Sequence, residues 1–350
     1  MHNRTRLISL LLALLLLCIP LSAFAEEPSA DDLPDDAFAT GTDFGEAPPD
    51  WQETLTEAAF SADDLPDSYL QPCEQAGRVE RIHYTTTDDD PQAKYVYIYL
   101  PAEYDENPDK QYDIMYILHA SGGSPKNYIS TEKVTSLQNL LDNMIALGEL
   151  EPMIVVAPTY YPPDDEWISY MPLSEQVKVT STFSRELVED IVPAVESQYR
   201  TYAESTDADG LLASRDHRAV AGFSLGGTAV WYIFAQRMDA FRWFLPISEA
   251  SWDDGEGGIT GIRDSELSSQ ALYEAILTQG FGRNDFRLYF ATGTDDEAFS
   301  ISTSQMESLL SYSDFFILGK NTSCSMMIGG THTLAAVYVY MYHILPALFQ

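Results

Sequence analysis

Short runs of β-branched and aromatic residues alternate with longer, mixed segments along most of the chain. The runs at 79–86 and 94–100 flank an Asp-rich turn at 88–91 and predict an antiparallel pair of strands. Buried strands are predicted at 113–118 and 153–157, and further strands at 218–223, 243–247, 286–291 and 325–328. Helices are predicted at 135–147, 183–199, 227–238, 265–278, 302–311 and 333–348, with a kink at Pro193.

Strands that alternate with helices in this way predict an α/β fold. We expect a mostly parallel central sheet with helices on both faces and the antiparallel pair at its N-terminal edge. Active sites of such sheets lie beyond the carboxyl ends of the strands. Residues that directly follow a strand are therefore the first candidates for chemistry.

The first 25 residues differ in character and predict a signal peptide. Arg4 and Arg6 form a positive start, 7–21 is apolar, and the small residues around Phe24 predict cleavage after Ala25. The apolar run is short for a membrane-spanning helix, although an uncleaved anchor is the alternative. We therefore expect a secreted protein that is not attached to a membrane after cleavage.

An acidic segment, 26–76, is predicted to be a disordered linker in front of a folded domain at 77–350. The segment contains 15 Asp and Glu residues and no Lys or Arg. The sequence Ser-Ala-Asp-Asp-Leu-Pro-Asp occurs in it twice, at 29–35 and at 61–67. A solvated, self-repelling linker is the first interpretation, and a short docking motif used twice is the alternative.

The formal net charge of −35 excludes functions that need a basic surface. Nucleic acids and anionic membranes would be repelled, so neither is an expected partner. After the signal segment the chain has two cysteines, Cys73 and Cys324. Two free thiols are the first interpretation, and a disulfide, which export would permit, is the alternative. Two cysteines do not make a metal site.

The sequence Gly222-Phe223-Ser224-Leu225-Gly226 lies between a predicted strand and a predicted helix. Strand, Gly-x-Ser-x-Gly and helix form the context of a nucleophile elbow, a sharp turn that holds a serine hydroxyl clear of the sheet. Such a turn requires the missing side chains of glycine. Ser224 is therefore the candidate nucleophile of a serine hydrolase, although the five-residue pattern alone is weakly specific.

A serine nucleophile needs a base, and the base needs an acid that fixes its tautomer. Two histidines follow Ser224. His332 comes directly after a predicted strand and is favoured over His343, which lies in the middle of a helix. The acid is expected between nucleophile and base, where three acids follow a strand: Asp295, Asp296 and Glu297. Spacing alone does not choose among them.

The reaction also needs hydrogen-bond donors for an oxyanion. One is the backbone N–H of Leu225 at the start of the helix. The second is expected from the small residues after the strand at 113–118, at Ala120 or Ser121, with an ordinary glycine turn as the alternative. His119 precedes these residues and is expected to be structural.

The chain resembles the esterase D / feruloyl esterase group of α/β-hydrolases from about Gly77 to Phe349. The resemblance rests on stretches at 100–104, 116–123, 151–158, 217–227, 293–296 and 329–332. It implies the α/β-hydrolase fold, Ser224 as nucleophile and His332 as base. It also implies Asp296 as the acid, because Asp296 ends a Gly-Thr-x-Asp sequence.

Two departures from the family pattern concern the oxyanion loop and the substrate pocket. Ala120 stands where the family commonly has glycine, but it keeps a backbone N–H. Residues 333–335 stand where the family often has an acidic or aromatic side chain, and they put the family's familiar pocket in doubt.

The resemblance implies a serine esterase that removes feruloyl or acetyl groups from plant-wall xylan without a metal or cofactor. Four aromatic residues after strands could line an acyl pocket or stack on a sugar, with packed loops as the alternative: Tyr160, Tyr161, Trp167 and Trp252. A siderophore trilactone esterase and a sugar acyltransferase are alternatives of the same fold. A non-catalytic carbohydrate-binding protein is the alternative outside the enzymes. The oligomeric state is left open.

Overall fold

Nine strands form one mixed sheet in the part of the chain that this computed structural model describes, namely residues 55, 58–163, 172–252 and 264–350. They are β1 (Ala58–Ser61), β2 (Arg78–Thr85), β3 (Ala93–Leu100), β4 (Ile114–Leu118), β5 (Ile154–Ala157), β6 (Arg218–Phe223), β7 (Trp243–Ile247), β8 (Arg287–Gly293) and β9 (Thr322–Ile328). The predicted signal peptide, the first copy of the repeat and Trp167 lie outside the described residues.

The order of strands across the sheet is β1-β9-β8-β7-β6-β4-β5-β3-β2. β3 pairs antiparallel with both β2 and β5. The other neighbours are parallel. The predicted α/β fold, mostly parallel with antiparallel strands at the N-terminal edge, is confirmed.

Helices in the described residues cover both faces of the sheet. They are α1 (Ser136–Ala146), α2 (Leu173–Glu186), α3 (Val192–Glu196), α4 (Ala208–Ser214), α5 (Leu225–Gln236), α6 (Ser265–Thr278), α7 (Phe299–Ser311) and α8 (Leu334–Ile344). Successive residues of β4 point to opposite faces. Tyr116 therefore joins the core under α2, α3 and α5, whereas Met115 and Ile117 join the core under α1 and α8.

The helix predicted at 183–199 is longer and less regular than expected. It begins at Leu173, passes through a π turn at Leu187–Ile191 and continues as α3. Pro193 lacks the N–H that would continue the α-helical hydrogen-bond ladder. The irregularity lies directly before this residue, where the sequence predicted a kink.

The predicted boundary between linker and folded domain at residue 77 needs correction. β1 lies inside the acidic segment and pairs with β9, extending the sheet by one strand. The Phe60 ring stacks on His343 with 4.1 Å between centroids. Leu65 and Tyr69 are also buried. These apolar side chains are interspersed among the acidic residues, and their burial attaches the segment from residue 58 to the domain.

Neither Cys73 nor Cys324 is in a disulfide, as the first interpretation of the sequence expected. Cys324 is buried in the core on β9, and Cys73 is half-buried. Among the described residues no helix is both long enough and apolar enough to cross a membrane.

Candidate active site

Ser224 lies on a sharp turn between β6 and α5. Its backbone angles, φ 54° and ψ −124°, are unusual for a residue with a side chain, and strain of this kind costs roughly 1–3 kcal/mol. A Cβ on Gly222 would overlap the Gly226 carbonyl, and a Cβ on Gly226 would overlap the carbonyls of Leu118 and His119. The turn therefore requires glycine at both positions, and it lies directly against the end of β4.

His332 and Asp296 lie on the loops after β9 and β8, and the structure brings them together. His332 Nδ1 is 2.8 Å from Asp296 Oδ1. Because an ionised carboxylate can only accept, Nδ1 carries the proton and the neutral ring offers Nε2 as a base. The two neighbouring acids, Asp295 and Glu297, are exposed, whereas Asp296 is buried.

The loops that carry this pair are tied to each other by backbone contacts. Asp295 N donates to the Gly330 carbonyl at 3.0 Å, and Gly329 N donates to Thr294 Oγ1 at 2.9 Å. A Cβ on Gly293 would overlap the Gly330 carbonyl. Glycine is therefore what lets the loops approach closely enough for the hydrogen bond between His332 and Asp296.

The His332 ring also packs on the elbow. Its centroid lies 4.5 Å from that of Phe223, the residue directly before Ser224. The other candidate base, His343, instead stacks on Phe60 of β1. The imidazole beside the nucleophile elbow is therefore the one that the sequence favoured.

The electrostatics of the site favour a protonated His332. Burial lowers the pKa of His332, but the hydrogen bond and charge of Asp296, together with the charges of Glu249 and Glu297, outweigh burial and raise it above its ordinary value. Glu249 is a buried residue just after β7 that sequence reasoning did not single out. A raised pKa means a stronger base that is available only at higher pH.

The expected oxyanion donors are backbone N–H groups from two adjacent elements. In the described part of the chain, no acceptor is found for the N–H of Leu225, Ala120 or Ser121. A Cβ on Gly226 would lie 2.3 Å from the Leu118 carbonyl oxygen and 2.7 Å from that of His119, so the start of α5 adjoins the loop that contains Ala120. These N–H groups therefore stay the candidate donors for an oxyanion.

His119 supports this loop, as expected of a structural residue. Its Nδ1 donates to the Ala120 carbonyl at 2.9 Å, so Nε2 accepts from Thr159 Oγ1 at 2.8 Å. Burial lowers the pKa of His119 to about 4. The ring therefore stays neutral at ordinary pH and fixes the loop backbone.

Tyr160 and Tyr161 are buried and also contact the loop. Tyr160 Oη donates to the His119 carbonyl at 2.6 Å, and Tyr161 Oη accepts from Gly122 N at 3.1 Å. Trp252 is buried at the end of the described segment that follows β7. Contact of these aromatic residues with a substrate stays a prediction, whereas the support that the two tyrosines give to the loop is visible.

Sequence reasoning missed two polar residues that hold the loop, Thr159 and Gln176. Gln176 lies on α2 and accepts from Ser121 Oγ at 2.5 Å and from Tyr161 Oη at 2.7 Å. A glutamine in a helix carries no local signal of such contacts, because its partner Ser121 is 55 residues away in sequence.

Comparison with known proteins identifies the family. The model of a family described as "Putative esterase" matches residues 91–314. The chain belongs to this esterase family. It is a carboxylic ester hydrolase, as predicted.

Relatives of the esterase include modules of larger enzymes. Endo-1,4-beta-xylanase Y of Acetivibrio thermocellus is 35% identical over 299 residues, which is 84% of this chain. The chain spans about a quarter of that protein, 25% of its length. A mutant of the feruloyl esterase module from Clostridium thermocellum, solved with sinapinate, is 32% identical with a TM-score of 0.69 and covers 84% of the esterase and 96% of the module.

A more distant structure shares the fold. The ferulic acid esterase of the anaerobic fungus Anaeromyces mucronatus is 22% identical, with a TM-score of 0.59 over 81% of the esterase and 96% of the fungal chain.

Within the described residues, no cluster of three or more His, Cys, Asp or Glu side chains could hold a metal ion.

Proposed function

We propose that the esterase releases hydroxycinnamic acids of the feruloyl kind from plant cell-wall xylan. The likeness to the feruloyl esterase module solved with sinapinate carries this proposal. The xylanase relative supports xylan as the polymer that bears the ester. The ester-bearing carbohydrate would then be the principal partner of this chain.

Ser224, His332 and Asp296 are the proposed triad. His332 Nε2 takes the hydroxyl proton as Ser224 Oγ bonds to the ester carbonyl carbon, and the carbonyl oxygen becomes an oxyanion. The N–H groups of Leu225 and of Ala120 or Ser121 stabilise that charge. His332 then protonates the leaving sugar alkoxide, which leaves an acyl-enzyme.

Water completes the reaction. His332 removes a proton from water as its oxygen attacks the acyl carbon, and the second tetrahedral intermediate collapses to release the carboxylic acid and Ser224. Throughout, the Asp296 carboxylate faces the imidazolium that forms twice in the cycle. The 2.8 Å hydrogen bond from His332 Nδ1 supports this role.

Acyl specificity is tested by product release. Feruloylated arabinoxylan and acetylated xylan should be incubated in parallel, with ferulate and acetate measured. We expect ferulate release to be the faster reaction. Acetate as the main product would replace the feruloyl proposal with acetylxylan hydrolysis. A trilactone assay and transfer to an added sugar would identify the two remaining alternatives.

The same assay with Ser224→Ala tests the nucleophile. We expect release of either acid, and of 4-nitrophenol from its acetate, to fall by at least about 10⁴-fold with the thermal unfolding midpoint retained. Activity of this variant near that of the wild type would remove Ser224 from the mechanism.

We also propose that the chain is exported and that its signal segment is cleaved after Ala25. The charged start, apolar run and small residues before Glu26 support this. Mass spectrometry of protein collected from the medium of a producing culture should give an N-terminus at Glu26. A product that stays in the cells and begins at Met1 would contradict export.

A further inference from the structure

The loop after β4 is held by a short chain of buried hydrogen bonds that ends on α2. Gly122 N donates to Tyr161 Oη at 3.1 Å. Tyr161 Oη lies 2.7 Å from Gln176 Oε1, and Ser121 Oγ lies 2.5 Å from the same oxygen. Gln176 is 7% exposed and Tyr161 is 1% exposed. These hydrogen bonds are therefore shielded from water, and the loss of any one would leave a buried polar group without its partner, which is costly.

The direction of these bonds follows from their chemistry. A backbone N–H can only donate, so Tyr161 Oη accepts from Gly122 and directs its own proton to Gln176 Oε1. Ser121 donates to the same amide oxygen. Gln176 thus acts as a double acceptor that fixes both the side chain of Ser121 and, through Tyr161, the backbone of Gly122.

Gly122 has a left-handed backbone conformation, which glycine adopts without strain. Its φ is 67°, and it directly follows the two candidate donors, Ala120 and Ser121. Gly123 N donates back to the Ala120 carbonyl at 3.0 Å. In a turn this tight, the orientation of the peptide at Gly122 affects the direction in which the N–H groups of Ala120 and Ser121 point.

We propose that Gln176 is a positioning residue for the oxyanion hole. Its amide oxygen holds Ser121 and the Tyr161–Gly122 link so that the donors of the loop face the N–H of Leu225 across the oxyanion. The inference rests on the proposed serine-esterase mechanism and adds to it a residue on α2 that does not touch the substrate.

The first test compares Gln176→Leu with the wild type on 4-nitrophenyl acetate. The substitution keeps the volume and removes the acceptor. Because a displaced donor weakens transition-state binding more than substrate binding, we expect kcat to fall between about 10-fold and 100-fold. KM should change by less than about 3-fold.

A covalent phosphonate gives a readout that is specific to the oxyanion hole. When Ser224 Oγ bonds to the phosphorus of an aryl phosphonate ester, aryloxide leaves and the phosphonyl oxygen occupies the place of the oxyanion. The rate constant for inactivation by this probe should fall by a factor similar to that for kcat. A loss of stability alone would reduce the number of folded enzyme molecules but would not change the inactivation rate constant of those that are folded.

Gln138 offers a matched control on α1. It is also 7% exposed, and its Oε1 accepts from the backbone N–H groups of Ser130 and Thr135, each at 3.1 Å. Gln138→Leu removes an equally buried acceptor outside the site. It should lower the unfolding midpoint and leave kcat and the inactivation rate within about 2-fold of wild type.

Tyr161→Phe supplies a second variant with a smaller change. It removes the acceptor for Gly122 N and the donor to Gln176 together. If the two residues act through one chain of hydrogen bonds, the double variant with Gln176→Leu should be no more than about 2-fold slower than the slower single variant. Ser121→Ala keeps its backbone N–H and should show a smaller loss than Gln176→Leu.

Two results would overturn the inference. One is a Gln176→Leu enzyme whose kcat and phosphonate reactivity both stay within about 2-fold of wild type; the other is a pair of variants whose losses multiply. Failure of the proposed substrate looks different: wild type would turn over the aryl ester but release no ferulate, and the role of Gln176 would still be measured. A wild type that turns over no ester would remove both proposals.

Discussion

Asp296 acts on His332 through one hydrogen bond and one negative charge, and its side chain is buried. The carboxylate accepts from the Ala298 backbone N–H at 2.8 Å with the same oxygen that faces His332. The charge of Asp296 is among the causes that raise the pKa of His332. The imidazole must be neutral to act as a base, so kcat/KM should rise with pH as His332 loses its proton.

Asp296→Asn should change both the rate and the pH profile. Without the carboxylate charge the pKa of His332 falls, so the acidic limb of kcat/KM moves to lower pH. An asparagine amide can also favour the wrong tautomer, and kcat should fall by about 10⁴-fold. Stopped assays of aryl acetate hydrolysis across the pH range measure both effects.

Asp295→Asn is the matched control for this prediction. Asp295 is exposed, and its side chain contacts Thr294 Oγ1 at 3.3 Å. Its substitution should leave kcat within about 2-fold of wild type and the pH profile in place. The opposite ranking of the two variants would assign the role of the acid to Asp295.

At the scale of elements, the junction of β4, β6 and α5 sets the geometry of the site. β4 and β6 are parallel neighbours, with Leu118 opposite Gly222. Their carboxyl ends bring the loop that contains Ala120 and the turn at Ser224 to the same point, and α5 begins there. The contact of Gly226 with two carbonyls at the end of β4 leaves no room for a side chain.

Gly226→Ala should therefore separate the two halves of the proposed oxyanion hole. The added methyl group must displace backbone, at a cost of about 1–3 kcal/mol in unfolding free energy, and kcat should fall at least about 10-fold. Urea unfolding and aryl ester assays measure the two effects.

Gly280→Ala gives the comparison at a glycine where a substitution brings backbone strain but no clash. Its φ is 82°, and nothing lies near the position of an added Cβ. We expect destabilisation of about 1 kcal/mol from the backbone alone and an unchanged kcat. A Gly226→Ala enzyme with normal kcat would show that the junction tolerates movement.

The elements that the sequence predicted well are those with a local pattern. β7 and α6 have the bounds that were predicted. α4 was not predicted, and its seven residues offer too short a pattern for periodicity to detect. Arg218, read as part of an apolar strand, is a buried partner of Glu196 at 2.6 Å, a pairing that depends on the tertiary fold.

The candidate site divides in the same way. Ser224 and His332 stand in local motifs beside strands, so the sequence alone proposes them as candidates. Choosing Asp296 among three acids needed a family resemblance, because burial and the distance to His332 arise only when two loops meet. Gln176 had no signal at all, since its contact with Ser121 joins a helix to a loop far away in sequence.

At the scale of the whole molecule, the acidic segment contributes to the folded domain as well as to charge. β1 covers the edge of β9, which would otherwise offer unpaired backbone groups to other chains. Asn139 and Asn143 on α1 donate to the carbonyls of Leu70 and Tyr69 at 2.8 Å and 3.0 Å. Within the second copy of the repeat, 61–67, Leu65 is buried in the core under α1 and α8, so this copy is a structural part of the domain.

The two copies of the repeat differ in what surrounds them. In the second copy, Phe60 precedes the motif and Tyr69 follows it, and both are buried. The corresponding positions beside the first copy are Pro28 and Ala37. The first copy therefore lacks both aromatic anchors, although its seven residues are identical.

Leu65 and Leu33 occupy the same position of the motif and allow a matched test. Leu65 is 8% exposed and packs in the core under α1 and α8, so Leu65→Ala should lower the unfolding free energy by about 2 kcal/mol or more. Because the first copy lacks the anchors, Leu33→Ala should change it by less than about 0.5 kcal/mol. Urea unfolding of both variants, made in a chain that retains residues 26–76, measures the difference. Equal losses of unfolding free energy in the two variants would mean that both copies bind the domain. The interpretation of the repeat as a docking motif used twice would then replace a structural role for the second copy alone.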